Sequence, residues 1–496
     1  MAIELSDLTF TEQDDVVPAS GVEEIRNTGI ANTLAGNDEI TGTGTEYNLI
    51  LELTDGPADI FFSISTGFYN IGTLNTADGN DIITGISSPN DPYNSPYDPM
   101  GLYKQSYGIL TEGTIDTGNG NDIITGISEA TISDGTTNHN FGIHIGSNST
   151  IDTGKGNDTI TGSGLDFGIL NYGTIYTDEG NDLITGTSGD RFGGSIVTSG
   201  LIDTGDGNDT ITGTATGTAR SDVGLSSSGT IDTGNGNDII TAIGTRWGIE
   251  NYGTINTGNG NDSIIAEADS DPFLAGYTSI MNKGSINTGN GNDSIIFHGK
   301  FTNHGDIFNG YVFLGEGNDS IIADVSLSNR RAIENFSFIG TGDGNDLITS
   351  TGVIYNEGII ETGNGDDSII VNGGVDDNGT RYGIYNNGGA INMGDGNDSI
   401  IANEGFESAE NSSGAWFLGE GEDYIKGFGS GDFYGGNGND TLELTPGTYT
   451  VGIWDTSVIF TKGNSLMITS EFEQLIAGGT IYDFTSLTAG QIITVA

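Results

Sequence analysis

The sequence predicts an all-β fold, a parallel β-helix or β-roll solenoid of about 15 coils with capped ends, its coil taken as right-handed by analogy. Three observations carry this. A short string recurs: "TIDTGNGNDIITG" at 114–126 returns as "TIDTGNGNDIITA" at 230–242 and "TINTGNGNDSIIA" at 254–266. Its spacing settles near one coil of three short strands. Glycine supplies 84 of 496 residues, a density that breaks long helices.

The repeat is marked by the aspartate that closes each Gly-Asn-Asp. The series runs Asp38, Asp81, Asp122, Asp158, Asp182, Asp209, Asp238 and Asp262. It continues as Asp293, Asp319, Asp346, Asp367, Asp398, Asp423 and Asp440, with "GDD" at Asp367 and "GED" at Asp423. Early gaps are 43, 41 and 36 residues, and later ones fall mostly between 21 and 31. A unit near that length is too short for a domain and too long for one hairpin. Within 167–186, "GIL", "TIYT" and "LIT" read as strands, and "NYG" and "DEGND" as turns. Asn-x-Gly recurs at Asn70, Asn171, Asn251, Asn282, Asn303, Asn356 and Asn386, where tight corners need left-handed backbone. Ile and Thr fill the strands, as a half-buried pleated surface prefers.

Stacked coils rise about 4.8 Å each, so fifteen make a rod of roughly 70 Å. Each position becomes a column. One inward column holds Ile115, Ile151, Ile175, Ile202, Ile231, Ile255 and Ile286; a second holds Ile124, Ile160, Ile184, Ile211, Ile240, Ile264 and Ile295. No coil buries its apolar face alone. The organisation expected is an N-terminal cap or assembly segment at 1–30, a solenoid at 31–443 and a C-terminal cap at 444–496. A loop near 87–107 holds four of the eight prolines. Smaller excursions fall at 43–70, 126–148 and 187–199.

Charge narrows the chemistry. Acids outnumber bases 69 to 13, for a net charge of -56. Nucleic acid and anionic membrane surfaces are excluded as partners, and cations are favoured. With no cysteine, disulfides and thiolate metal sites are excluded. No window approaches 18 apolar residues, so no membrane insertion is expected. Ca²⁺ wants six to eight oxygens. Tight glycine turns aim carbonyls inward and aspartate adds charge. Carboxylates stacked near 5 Å repel by about 3 kcal/mol per pair at an effective dielectric of 20. A divalent ion between successive turns turns that repulsion into cohesion. Calcium is therefore the expected cofactor, about one per adjacent coil pair.

The turn string also resembles the RTX, or haemolysin-type, calcium-binding repeats, G-G-x-G-x-D-x-U-x. "GGNGNDTLE" at 435–443 fits all nine places, and "TGNGNDIIT" at 117–125 has Thr at the first. The resemblance implies calcium held by the carbonyls of places one and three and the aspartate of place six. Here these would be Thr117, Asn119 and Asp122, and likewise Thr233, Asn235 and Asp238. RTX rolls carry two motifs per coil; most coils here carry one, so calcium is expected along one edge of a wider helix. Asp423, Asp432 and Asp440 come at roll-like spacing. Turns without the second glycine, at Asp38, Asp81 and Asp182, are expected to be weak or empty sites. The tail 470–496 resembles type I secretion signals, which implies a secreted, cell-surface protein that folds on meeting calcium.

A second acidic column, Asp116, Asp152, Asp203 and Asp232 continuing as Asn256 and Asn287, reads as a solvated outer face. No catalytic residues are expected. There is no H-E-x-x-H and no G-x-S-x-G. His139, His144, His298 and His304 lack a nucleophile beside them in sequence, and Arg330, Arg331 and the Tyr-rich stretch 93–107 read as surface packing. An ice-binding face needs outward threonine ranks; Thr117, Thr153, Thr204, Thr233, Thr257 and Thr288 rank but sit in the turn. The expected function is a secreted structural protein that self-assembles, head-to-tail or laterally, into a filament, S-layer or matrix, with a cell-surface polysaccharide as a further partner. The alternative is a β-helix lyase or epimerase, or an adhesin, that carries the repeats.

Overall fold

The computed structural model describes residues 2–18, 23–45, 48–52, 60–89, 103–129, 139–189, 193–217, 222–268, 278–303, 310–324, 331–375, 381–408 and 414–496. Most of the proline-rich loop, His304 and Arg330 lie outside these residues. The chain forms two compact units, one of Met1–Gly258 with Ala268–Gly276, the other of Asn259–Glu267 with Tyr277–Ala496.

In the first unit a coil has three strands, for example Phe167–Asn171, Thr174–Tyr176 and Leu183–Ser188. Each pairs in parallel with its equivalent one coil on: Ile169 with Ile196, Ile175 with Ile202, Ile184 with Ile211. Parallel stacking of equivalent positions is the defining feature of a β-solenoid, as the repeat predicts. Alternation puts isoleucine inside. Ile115, Ile151, Ile175, Ile202, Ile231 and Ile255 are fully buried, as are Ile124, Ile160, Ile184, Ile211 and Ile240. A third column from the first strands, Phe68, Ile109, Ile143, Ile169, Ile196, Leu225 and Ile249, completes the core. Each such side chain contributes about 2 kcal/mol by leaving water.

The second unit repeats the plan with longer second strands. Tyr311–Glu316, Phe338–Asp343, Ile359–Asn364, Ala390–Asp395 and Ala415–Gly421 run on through the turn that follows. Its core gains bulk: Phe297, Phe301, Trp416 and Phe433 are at most 1% exposed, and Trp416 stacks on Phe433 at 4.3 Å.

Asparagine forms a ladder of its own. The Asn-x-Gly asparagines are buried as well as turn-forming. Asn27 Nδ2 donates to Asn70 Oδ1 at 2.9 Å; in the second unit Asn303 donates to Asn335, Asn335 to Asn356 and Asn356 to Asn386, at 2.8–3.0 Å. Thr111 and Thr198 hydroxyls stand in for asparagine, accepting from Asn70 and Asn171.

Both ends of the chain are degenerate coils. Ile3–Glu4 pairs with Ile25 and Arg26, and Val16–Val17 with Glu39 and Ile40. At the other end Ser465–Ser470 and Gln474–Ala477 add parallel strands to Gly431–Gly438 and Thr441–Leu444. Antiparallel strands at Gly447–Trp454, Ser457–Lys462, Thr480–Asp483 and Ile492–Val495 then cover that end. Among the described residues no helix is long and apolar enough to cross a membrane.

Candidate metal centre

The Gly-Asn-Asp turn assigns opposite tasks to its two polar residues. The aspartate points inward. Asp81 donates its amide to Asp122 Oδ1, and Asp122 donates to Asp158 Oδ1, both at 2.7 Å. The same bond links Asp38 to Asp81, Asp158 to Asp182, Asp182 to Asp209 and Asp209 to Asp238 at 2.7–2.8 Å. In the second unit it runs from Asp262 through Asp293, Asp319, Asp346, Asp367, Asp398 and Asp423 to Asp440, at 2.7–3.0 Å. The asparagine points outward and accepts from the other side: Asn121 donates its amide back to Asn80 Oδ1 at 2.6 Å, and Asn157 to Asn121 at 2.7 Å. The two irregular turns obey the same rule. Asp366 takes the asparagine's part, accepting the amide of Asn397, and the Glu422 amide donates to Asn397.

The glycine before the asparagine is required by close approach. A Cβ on Gly120 would stand 1.3 Å from the Gly79 carbonyl oxygen. The position two residues earlier has left-handed backbone, and here the first unit accepts side chains: Leu34, Ala77 and Asp178 sit at φ 69°, 62° and 56°. These are the turns expected to be weak. Their aspartates nevertheless keep the same ladder bonds as their neighbours.

Every aspartate of the column is at most 2% exposed. One carboxylate oxygen is held by the ladder; the other is the anomaly. Oδ2 of Asp38, Asp81, Asp158, Asp182 and Asp209 has no hydrogen-bond partner, and neither has that of Asp293, Asp319, Asp346, Asp367, Asp398, Asp423 and Asp440. Asp122 Oδ2 accepts the Thr117 hydroxyl at 2.7 Å. In most other turns that threonine donates to the next coil's carbonyl, as Thr76 Oγ1 does to Thr117 O at 3.3 Å, while standing close enough to its own aspartate to offset part of the rise caused by burial. Desolvation is the main cause that pushes these groups up. Asp81, Asp122, Asp182, Asp319 and Asp398 rise to about 7, and Asp158, Asp209, Asp293, Asp367, Asp423 and Asp440 to about 6. A buried oxygen in that state needs a proton or a cation.

The donor set is all oxygen, which suits a hard cation. Among the described residues no group of three or more His, Cys, Asp or Glu side chains could hold a metal, so main-chain oxygens would have to share the work. The two carbonyls that the RTX resemblance implies are already in use: Asn119 O accepts the Gly79 amide at 2.9 Å and Asn235 O the Gly207 amide at 2.7 Å. Thr117 O and Thr233 O accept the hydroxyls of Thr76 and Thr204 at 3.3 Å. Each carbonyl keeps a second lone pair.

Other expected residues separate from the column. Asp432 lies in the strand Gly431–Gly438, in register with Ala415, while the ladder passes from Asp423 directly to Asp440; its spacing placed it near the column, but its strand position turns it outward. Asp116, Asp152, Asp203 and Asp232 form a half-buried outer rank, in which burial and neighbouring carboxylates raise Asp152 and Asp203. Thr117, Thr153, Thr204, Thr233, Thr257 and Thr288 are buried. The outward threonine rank is a different one, Thr41, Thr84, Thr125, Thr161, Thr185, Thr212 and Thr241, paired coil to coil on the third strands. His144 packs among Tyr107, Phe141 and Tyr172 and is lowered to about 4 by burial. His298 lies 3.5 Å from Glu267. Arg331 stacks over Tyr355 at 3.7 Å and pairs with Glu334.

Sequence reasoning missed the ends of the ladder. Asp15 donates its amide to Asp38 Oδ1 and Asn37 donates to Asp14 Oδ1, so "QDD" at 13–15 acts as a turn of the series. Glu473 Oε2 accepts the Asp440 amide at 2.8 Å and closes the other end. The only signal was paired acids at 14–15 and an acid just before the apolar "QLIA" of 474–477.

The chain matches no protein-family description and no curated protein. Among solved structures it is similar to a hyperactive, Ca²⁺-dependent, β-helical antifreeze protein from an Antarctic bacterium. The two are 16% identical, with 97% of this chain and 96% of that one covered, at a TM-score of 0.36.

Proposed function

We propose that this chain is a secreted structural β-solenoid that takes up calcium in its Gly-Asn-Asp turns and builds extracellular surface material. One observation carries the reading: a column of buried aspartates, each with one oxygen held by an amide and, in most turns, the other without a hydrogen bond. Neutral hydrogen-bonding alone would be served as well by asparagine, which the outer ladder uses. Aspartate adds charge where charge is costly, and a hard cation makes that charge useful. Asp122 with Thr117 and Asn119, and Asp238 with Thr233 and Asn235, are residues that would hold it. The net charge of -56 favours the same partner.

Self-association follows by the sides. The outermost N-terminal strands are two residues long, and such short edges resist strand addition. The acidic rank Asp116, Asp152, Asp203 and Asp232 offers cations a bridge between copies. Export through a type I route is part of the proposal, resting on the character of the tail. The test is circular dichroism and light scattering of the full chain in calcium and then in chelator. Loss of sheet and of large particles on chelation supports the reading; full sheet at pH 8 with no bound metal removes it.

A second reading has one observation in its favour. The outward rank Thr41 to Thr241 is flanked by Ile, Leu, Thr and Ser, and apart from Glu39 these flanks carry no charge. A regular lattice of hydroxyl and methyl groups, about 4.8 Å apart along the stack, could template ordered water. Ice-recrystallisation assays with Thr161→Lys as control decide it: inhibition by the parent chain that the variant lacks supports this reading.

A further inference from the structure

The outer face of the second unit carries a groove that the metal column does not explain. Its volume is about 600 Å³. One wall is aromatic. Phe313, 44% exposed, and Phe338 line it, and Tyr311, 48% exposed and two residues before Phe313, lies beside it with its ring centre 6.1 Å from that of Phe338. The floor is glycine, because Gly315 pairs with Gly342 and Phe313 with Gly340. A Cβ on Gly340 would meet the Phe338 ring at 2.7 Å. The opposite side is acidic, with Glu316 and Asp343 paired, and Glu361 stands in the rank of Phe313 itself, one coil on from Gly340. No lysine or arginine is among the described lining residues.

The plan continues along the stack. Three coils on from Gly340, the rank returns to aromatic with Phe417 and Tyr434, stacked at 5.0 Å. Glycine again lies beside them, with Gly419 in register with Gly436, and Glu420 with Asn437 forms the polar side. The two aromatic platforms are four coil steps apart, roughly 19 Å at the usual strand spacing.

From this geometry we infer a binding site for a neutral glycan chain lying along the stack. Exposed rings in water call for an apolar face to cover them, and sugar rings present one. Carboxylates accept hydrogen bonds and donate none, so the ligand must bring donors, which hydroxyls do. Three carboxylates without a base repel an anionic glycan. A glycine floor lets a ring lie close to the backbone. Platforms at two places along one rank suit a polymer better than a small cation. The inference goes beyond the calcium reading, since it uses outward side chains of the second strands and not the aspartate column.

The experiment is affinity electrophoresis of the full chain in calcium, through gels that hold a soluble β-glucan, α-glucan, mannan, polyuronate or chitosan. Retardation by at least one neutral polymer, and none by polyuronate, is expected. Phe313→Ala and Phe417→Ala should each weaken it at least about tenfold with an unchanged melting midpoint. Both rings are over 40% exposed, so the fold does not depend on them. Retardation by no neutral polymer, by polyuronate, or by chitosan alone overturns the inference, as does full binding by both variants. The calcium reading is scored separately, by dichroism in chelator.

Discussion

In the first unit the second strands end in Asp116, Asp152, Tyr176, Asp203 and Asp232, flanked by Asn32 and Asn75 before them and Asn256 after; at the equivalent place the second unit has Asn287, Phe313, Gly340, Glu361, Asn392 and Phe417. The third strands diverge in the same way. The first unit shows the outward threonine rank, the second Ser263, Ser294 and Ser320 followed by Ile265, Ile296 and Ile322. Inside, both keep isoleucine, asparagine and aspartate in column. An inward residue must fit the copies before and after it; an outward one answers only to solvent and ligand. The outer faces are therefore where the two units can differ in function, and the inner ladder is where they must agree.

If the column is a cation site in both units, chelation at pH 8 should remove most of the sheet signal from each, followed by dichroism and by proteolysis. Loss confined to one unit would break the equivalence. Acidity should act in the opposite sense on the metal-free chain. The column aspartates have folded values raised to about 6–7 from an unfolded 3.8. Their ionisation opposes folding, so the metal-free fold is most stable near pH 4 and loses that stability as pH rises through 6–7. Thermal melts in chelator should shift upward on acidification. The stabilisation by calcium should shrink over the same range as protons displace it.

Turn glycines sharpen the contrast. In the second unit Gly342 sits at φ 104°, and a Cβ there would stand 1.6 Å from Gly315 O. Gly342→Ala should cost about 3 kcal/mol. Deleting one ladder carboxylate should cost about 1–3 kcal/mol in either unit, because Asp182 or Asp319 is left with a buried amide. Asp209→Ala and Asp346→Ala, read by denaturant melts, should agree. Asp209→Asn and Asp346→Asn keep the acceptor and should instead lose calcium, counted by atomic absorption. The smallest effect belongs to the first unit: Ala77→Gly relieves left-handed strain and should stabilise by about 1 kcal/mol.

Much of the inner architecture was legible because it is periodic. Ile115 to Ile255 could be read as a column since each isoleucine follows a turn of nearly fixed length. The aspartate series was legible for the same reason, but the direction of its side chain was not. Spacing says that Asp122 and Asp158 are neighbours; it does not say that one accepts the other coil's amide through Oδ1. Asn335 escaped notice because Ser337 replaces the usual glycine, although its amide group serves the same ladder. Tyr311, Phe313 and Phe338 escaped because outward positions carry no repeat to betray them; only the register places them across a glycine trough from Glu316 and Asp343.

The two ladders of the Gly-Asn-Asp turn give each unit a direction. Asparagine reaches one way and aspartate the other, so every interior rung gives and receives on both flanks. A rung of this kind can be copied or lost without leaving its new neighbours mismatched. Only the terminal substitutes, Asp14 with Asp15 and Glu473, are tied to a particular place. Lengthening or shortening by whole rungs is thus an inexpensive route of change for this gene, while insertion of part of a rung is not.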